Sequence, residues 1–260
     1  MTSNQLFEKL EHLSPLDFGD IFNKSIELFK KVWLQGFVHL LISFLVILPL
    51  IVIMYIPMFA IAGMAGLENQ LDDYQFPIEE FSVGLLILFF VLILVISMAA
   101  GAIQMAITAH FYRVCKQVDL EQSESSSYFM FLKGKYLGKV FVLSIAIFGI
   151  SLLAILACYL PIFYVMIPLQ LIGVIFAFNP DLSASDIIKA SFKLGNKKWL
   201  ILFGLIIVGS MLSQFVGMIL CFVGIFFTAS FVYLPVYFVY KETVGFEEDL
   251  SETTDTLFVK

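Results

Sequence analysis

His39 and His110 are the two histidines that fall inside long uncharged stretches of this 260-residue chain. An imidazole there could ligate a metal or exchange a proton near neutral pH. If the two stretches run antiparallel, both rings sit near one face of the molecule and could meet. A metal centre needs more ligands, and no His, Cys or carboxylate near either residue has the required spacing. His12, the third histidine, lies in a polar lead. The expected role is a hydrogen-bonded histidine, with no metal and no other cofactor. Cys115, Cys158 and Cys221 follow no metal spacing either. Cys158 and Cys221 fall at equivalent hairpin ends, where an oxidising exterior would let them pair. Two small buried side chains are the plainer expectation.

Neutral polar residues are the other chemistry inside the apolar stretches. Gln104, Gln170 and Gln214 are expected to line a cavity, with Ser144, Ser151 and Thr228 as further hydrogen-bonding groups. Ser97 and Gly101, and likewise Gly209, Ser213 and Gly217, recur every fourth residue, a spacing that lets helix backbones approach closely. Intramolecular packing is the expected use, and a homo-oligomer face is the alternative. There is no Gly-x-Ser-x-Gly turn, no phosphate loop and no carboxylate pair within these stretches, so no catalytic residue is assigned and an enzyme is not expected. The outer acids Asp72, Asp73, Glu79 and Glu80 read as a solvated loop.

The elements that hold these residues follow from charge. Asp, Glu, Lys and Arg are absent from 34–67, 81–111, 140–180 and 199–240. Crossing a hydrocarbon core of about 30 Å takes roughly 20 apolar helical residues, so each of the last two stretches can hold two spans. Spans are expected at about 34–58, 83–112, 139–159, 161–179, 199–220 and 222–241, with kinks at Pro49 and Pro57. With both termini inside, every one of the 15 Lys and Arg falls on the inner side, as orientation by basic residues requires. A content of 60% hydrophobic and 14% charged residues excludes an ordinary soluble domain. Much of the formal charge of −6 comes from the outer acids, so the inner side is near balance and nucleic acid is not an expected partner. No cleavable signal is expected in 1–31, which is polar and lacks an early apolar core.

An internal repeat adds detail. Residues 16–34 and 182–200 share Leu16/Leu182, Asp20/Asp186, Ile21/Ile187, Ser25/Ser191, Leu28/Leu194, Lys31/Lys197, Trp33/Trp199 and Leu34/Leu200, eight identical pairs in nineteen positions. A weaker copy lies at 128–139. In the first copy, Ser14-Pro15-Leu16-Asp17 reads as an N-cap, a proline at the first helical position and a carboxylate in the first turn. Each copy is expected to be an amphipathic helix on the inner membrane surface that ends at a tryptophan, where the chain turns into the bilayer. Phe18, Phe22, Phe29, Ile187 and Phe192 would then face the acyl boundary.

The elements 16–21 leading to Lys30-Lys31, and Pro180-Asp181-Leu182-Ser183-Ala184-Ser185-Asp186 leading to Leu194-Gly195-Asn196-Lys197-Lys198-Trp199, resemble a loose group of bacterial multi-pass proteins. That group includes the membrane domain attached to some glycerophosphodiester phosphodiesterases. The resemblance implies a six-span inner-membrane protein. It implies no activity, because the phosphodiesterase chemistry resides in a separate soluble domain. The resulting expectation is an all-α polytopic membrane helix bundle of three hairpins, each preceded by an inner interfacial helix. It comprises a polar lead at 1–13, a membrane domain at 14–241 and an acidic cytoplasmic tail at 242–260. The expected function is non-enzymatic binding of membrane lipids or a membrane-protein partner. A carrier for an amphiphilic substrate is the alternative, and a lipid-acting enzyme comes third.

Overall fold

The computed structural model describes residues 1–68, 83–122, 129–220 and 224–246, and the side chains of 57–68, 83, 85 and 86 are outside it. Asp72, Asp73, Glu79, Glu80, Cys221 and most of the acidic tail therefore lie outside the described residues, as does the start of the weak third copy. Everything regular among the described residues is helical: α1 (Ser3–Lys9), α2 (Phe18–Glu68), α3 (Val83–Asp119), α4 (Tyr136–Leu156), α5 (Leu160–Phe178), α6 (Ala184–Ile219), α7 (Ile225–Thr228) and α8 (Tyr233–Thr243). A 3-10 turn, Met130–Leu132, precedes α4, and another, Ala229–Val232, joins α7 to α8 into one composite last helix. Five helices are long and apolar enough to cross a membrane: Phe18–Ile56, Ile87–Asp119, Tyr136–Leu156, Leu160–Phe178 and Ala184–Ile219.

The helix ends obey local chemistry. Thr2 and Gln5 form a reciprocal capping box on α1. Asp17, not Ser14, caps α2: its carboxylate accepts from the Asp20 amide at 2.8 Å. The Ser14 carbonyl is engaged instead by Lys198 Nζ at 2.6 Å. Ser183 caps α6, accepting from the Asp186 amide at 3.1 Å. The turn before α5 holds Cys158 and Tyr159 at φ 65° and 62°. These left-handed conformations are uncommon for side chains of this size.

α2 packs on α3, α4 on α5, and α6 on the composite last helix, while α3 also touches α4 and α5. Burial is uneven. α5 is enclosed, with Ile167 and the run from Leu171 to Ala177 buried. In contrast, α2 from Phe44 to Ile56 and α3 from Ile87 to Val95 carry mostly exposed large apolar side chains. Apolar surface of that extent marks contact with a membrane or another protein.

Two expectations are corrected here. First, the amphipathic segment before Trp33 is not a separate interfacial helix: α2 runs 51 residues without interruption, through Pro49 and Pro57. At 1.5 Å per residue it is roughly 75 Å long, more than twice a hydrocarbon core. Second, the corresponding segment of α6 does not lie alone on a surface. Its first arm runs antiparallel along α5, where Gly195 meets Pro168 and Trp199 Nε1 donates to the Tyr164 carbonyl at 3.1 Å. The break expected near Trp199 falls at Lys198 (φ −119°, ψ 20°). The polar lead, residues 1–13, contains α1 and is docked on the rest of the protein. Leu6 and Leu10 are fully buried, and Lys9 Nζ donates to the Val244 carbonyl at 2.6 Å.

Candidate functional site: a polar cavity between α3, α4 and α5

Polar residues on α2 and α3 recur one helical turn apart. On α2, Gln35, His39 and Ser43 are spaced by four, as are Gln104 and Thr108 on α3, so each set projects as one stripe toward the neighbouring helix. The two stripes join at Ser43, whose hydroxyl donates to the His39 carbonyl at 2.8 Å. Its single proton spent, that hydroxyl must accept from Gln104, and Gln104 Nε2 donates to it at 3.0 Å. This orders the Gln104 amide: its nitrogen faces Ser43 and Thr108, and its Oε1 is buried with no partner. Gln170 Oε1, on α5, is also buried and unpartnered.

Both glutamines line one cavity of about 390 Å³ between α3, α4 and α5, closed at one end by Tyr112 and Tyr233. Ser97, Ser144 and Ser151 add hydroxyls to its wall, and among the described residues no Asp, Glu, Lys, Arg or His lines it. Methionine, leucine and phenylalanine side chains complete it, and the half-exposed Phe148 stands at its rim. A buried amide oxygen without a donor costs about 1–3 kcal/mol. Both oxygens belong to residues that line this one space, which makes it a candidate site for a ligand that brings hydrogen-bond donors.

Gln214 is not part of this cavity. It is exposed on α6, whereas Ser213 is buried and its carbonyl accepts from Thr228 Oγ1 at 2.8 Å. Neighbouring helical residues diverge by about 100°, so the two cannot share a face. Ser97 and Gly101 do line the cavity as well as packing α3 against α4: a Cβ on Gly101 would lie 2.8 Å from Ser144 Oγ. Gly209 meets the Phe231 ring, and a Cβ on Gly217 would lie 2.5 Å from Ile225 Cγ1, so this stripe packs α6 on the last helix of the same chain.

The proposed interfacial residues pack largely against protein. Ile187 is completely buried. Phe22 and Phe29 meet the edge of Phe231 at 5.8 and 5.6 Å. Phe18 is 38% exposed and stacks on Phe22, and Phe192 is half-buried. His39 stacks on Phe111 at 4.7 Å, the residue after His110, and meets the edge of Tyr233 at 5.2 Å. Neither ring nitrogen of His39 has a hydrogen-bond partner. A second packed contact lies beside it: Gly36 allows Ser230 to approach, since a Cβ would fall 2.2 Å from Ser230 Oγ. Cys115 is buried, and Cys158 is an exposed free thiol. Among the described residues, no three His, Cys, Asp or Glu gather as a metal site.

Charge concentrates where helix ends converge. Asp119 accepts from Tyr237 at 2.7 Å and from Lys241 at 2.6 Å. Asn179 donates to the Tyr240 hydroxyl at 2.6 Å, and Arg113 Nε donates to the Ala177 carbonyl at 2.9 Å. Lys135 bridges to Asp181 at 2.7 Å, an exposed pair that lowers the Asp181 pKa and raises that of Lys135. Lys193 bonds Glu11 at 3.1 Å and holds its carboxyl below the usual range.

No family model matches the chain, and neither a curated protein nor a solved structure matches it.

Proposed function

We propose that the chain is an integral protein of the cell membrane, with both termini and all basic segments on the cytoplasmic side, and that it binds one uncharged amphiphile in the cavity between α3, α4 and α5. It acts as a binder, not a catalyst. The observation that carries this is the pair of buried, unpartnered acceptors, Gln104 Oε1 and Gln170 Oε1, on two residues that line one cavity. A volume of about 390 Å³ suits a small headgroup with the first part of a chain. Since the cavity's residues carry no charge, a hydroxyl or amide headgroup fits it better than a phosphate.

Six apolar segments serve the threading: α2, α3, α4, α5, the second arm of α6 and the composite last helix. The contacts of α5 favour a slanted α4–α5 hairpin over two upright spans. Asn179 bonds Tyr240, next to Lys241, and the Tyr164 hydroxyl donates to Asn196 at 2.5 Å, next to Lys197. The piece of α5 between them is only about 22 Å long, and an upright α5 would carry lysines across the bilayer. A hairpin returns to the side it entered, so the orientation is unchanged. The likeness of residues 180–200 to the membrane domain attached to glycerophosphodiester phosphodiesterases supports a bacterial inner-membrane setting and no particular activity.

Native mass spectrometry of the protein released from its own membranes tests the reading. One neutral amphiphile per chain should be retained, and Gln104→Leu with Gln170→Leu should weaken its retention roughly thirtyfold, two hydrogen bonds of about 1 kcal/mol each. No neutral amphiphile, or one indifferent to both substitutions, overturns it. The rim at Phe148 offers a lateral way in, which favours a carrier as the second reading. Transfer of the ligand between vesicles, lost in the same variant, would establish that role.

A further inference from the structure

At the break in α6 an open groove of about 400 Å³ is lined by Leu16, Phe18, Lys197, Lys198, Leu200 and Ile201. It is separate from the glutamine-lined cavity and shares no residue with it. Consecutive helical residues point about 100° apart, yet Lys197 and Lys198 both serve this groove. Lys198 is the residue with non-helical backbone. Their ammonium groups donate to the carbonyls of Glu11 (2.9 Å) and Ser14 (2.6 Å), dipoles that leave each full charge in place. The nearby Glu11 carboxylate is hydrogen-bonded to Lys193. The opposite side of the groove is apolar, and Leu200 is 78% exposed.

We infer that this elbow is a binding site for one anionic phospholipid of the cytoplasmic leaflet, its phosphodiester on Lys197 and Lys198 and its first methylenes on Leu16, Phe18 and Leu200. Charge complementarity and the apolar wall select the occupant together: two unneutralised cations call for an anion, and the adjoining apolar surface calls for a chain on that anion. The first copy of the repeat supplies the internal control. There the counterparts of Lys197 and Lys198 are Lys31 and Val32, so one of the two charges is missing, the adjacent Lys30 is spent on Glu27 at 2.6 Å, and the helix is unbroken.

The full chain is reconstituted in mixed phosphatidylcholine–phosphatidylglycerol vesicles, extracted, and weighed by native mass spectrometry. One phosphatidylglycerol per chain should be retained in preference to phosphatidylcholine. Lys197→Gln with Lys198→Gln should cut that retention by at least about tenfold, while Lys30→Gln with Lys31→Gln should leave it unchanged. Because Lys197 and Lys198 also hold the 11–14 segment, Leu200→Glu serves as the second variant. It adds a repelling carboxylate at an exposed position, and should lose the lipid at unchanged thermal stability. Equal retention of phosphatidylcholine, or retention in both the lysine and Leu200 variants, overturns the site. So does a thermal stabilisation by inorganic phosphate alone that equals the one by phosphatidylglycerol, because the groove would then take free phosphate and not lipid.

Discussion

In the first copy of the repeat the chain enters α2 at Phe18 and stays helical through Trp33, whereas in the second it breaks at Lys198, beside Trp199. Three of the eight identical pairs face protein in both copies. Ile21 and Ile187, Ser25 and Ser191, and Leu28 and Leu194 are all buried, and both serines bond back to the preceding turn. The divergent positions decide the rest. Where the first copy has Phe29, Lys30 and Val32, the second has Gly195, Asn196 and Lys198. Glycine and asparagine hold a helix less well, and Gly195 lets Pro168 of α5 come so near that a Cβ would sit 2.9 Å from its Cγ. Phe29 instead reaches out to Phe231. A shared amphipathic pattern thus specifies which face is buried, and a few size changes specify against what.

The largest effect should fall equally on both copies. Ile21→Asp and Ile187→Asp each bury an unpaired carboxylate and should each cost more than about 4 kcal/mol, read as thermal unfolding in detergent. A mild effect in one copy alone would break the equivalence of the two faces. Next, Gly195→Val should overpack the α5 contact and cost about 3 kcal/mol, while Phe29→Val, at the matching position, should cost about 1–2 kcal/mol from lost ring contact. Similar small losses at both would mean that Gly195 does not set the close approach. The smallest effect concerns the position that is Glu27 in one copy and Lys193 in the other. Lys193 depresses the Glu11 pKa, so the tie between α1 and α6 stabilises above the usual carboxylate range and fades as pH falls through the depressed value. Protection of the α1 amides against deuterium exchange, taken relative to the intrinsic exchange rate at each pH, should fall at acid pH, and Lys193→Gln should remove that pH dependence. An identical profile in the variant would detach α1 from this ion pair.

Parts of the candidate site were legible. Gln104 and Gln170 stand out as amides in uncharged apolar stretches, where a polar side chain needs a partner. The stripe Gln35, His39, Ser43 carries the same signal at four-residue spacing. Gln214 was misplaced because a single residue's step around a helix moves a side chain from the interface to the surface, and composition does not tell Ser213 from Gln214. The fully buried apolar contacts of the α1 segment are made by two leucines, Leu6 and Leu10, one turn apart. Two residues are too few to make a periodic pattern.

Apolar content, the spacing of charges and the helical periodicity determined by themselves that this chain is all-helical, that it carries several helices long enough for a membrane, and which residues recur in its repeat. These are properties of local segments and of transfer from water, and they need no partner. Tertiary structure alone decided that α2 is unbroken while α6 breaks at Lys198, that the first arm of α6 lies on α5 and not on a surface by itself, and that two glutamines share a cavity from which a third is absent. Those outcomes depend on which side chains meet across helices. Van der Waals contact is settled over a few tenths of an ångström, a scale at which the presence of one Cβ, as at Gly195, changes the answer.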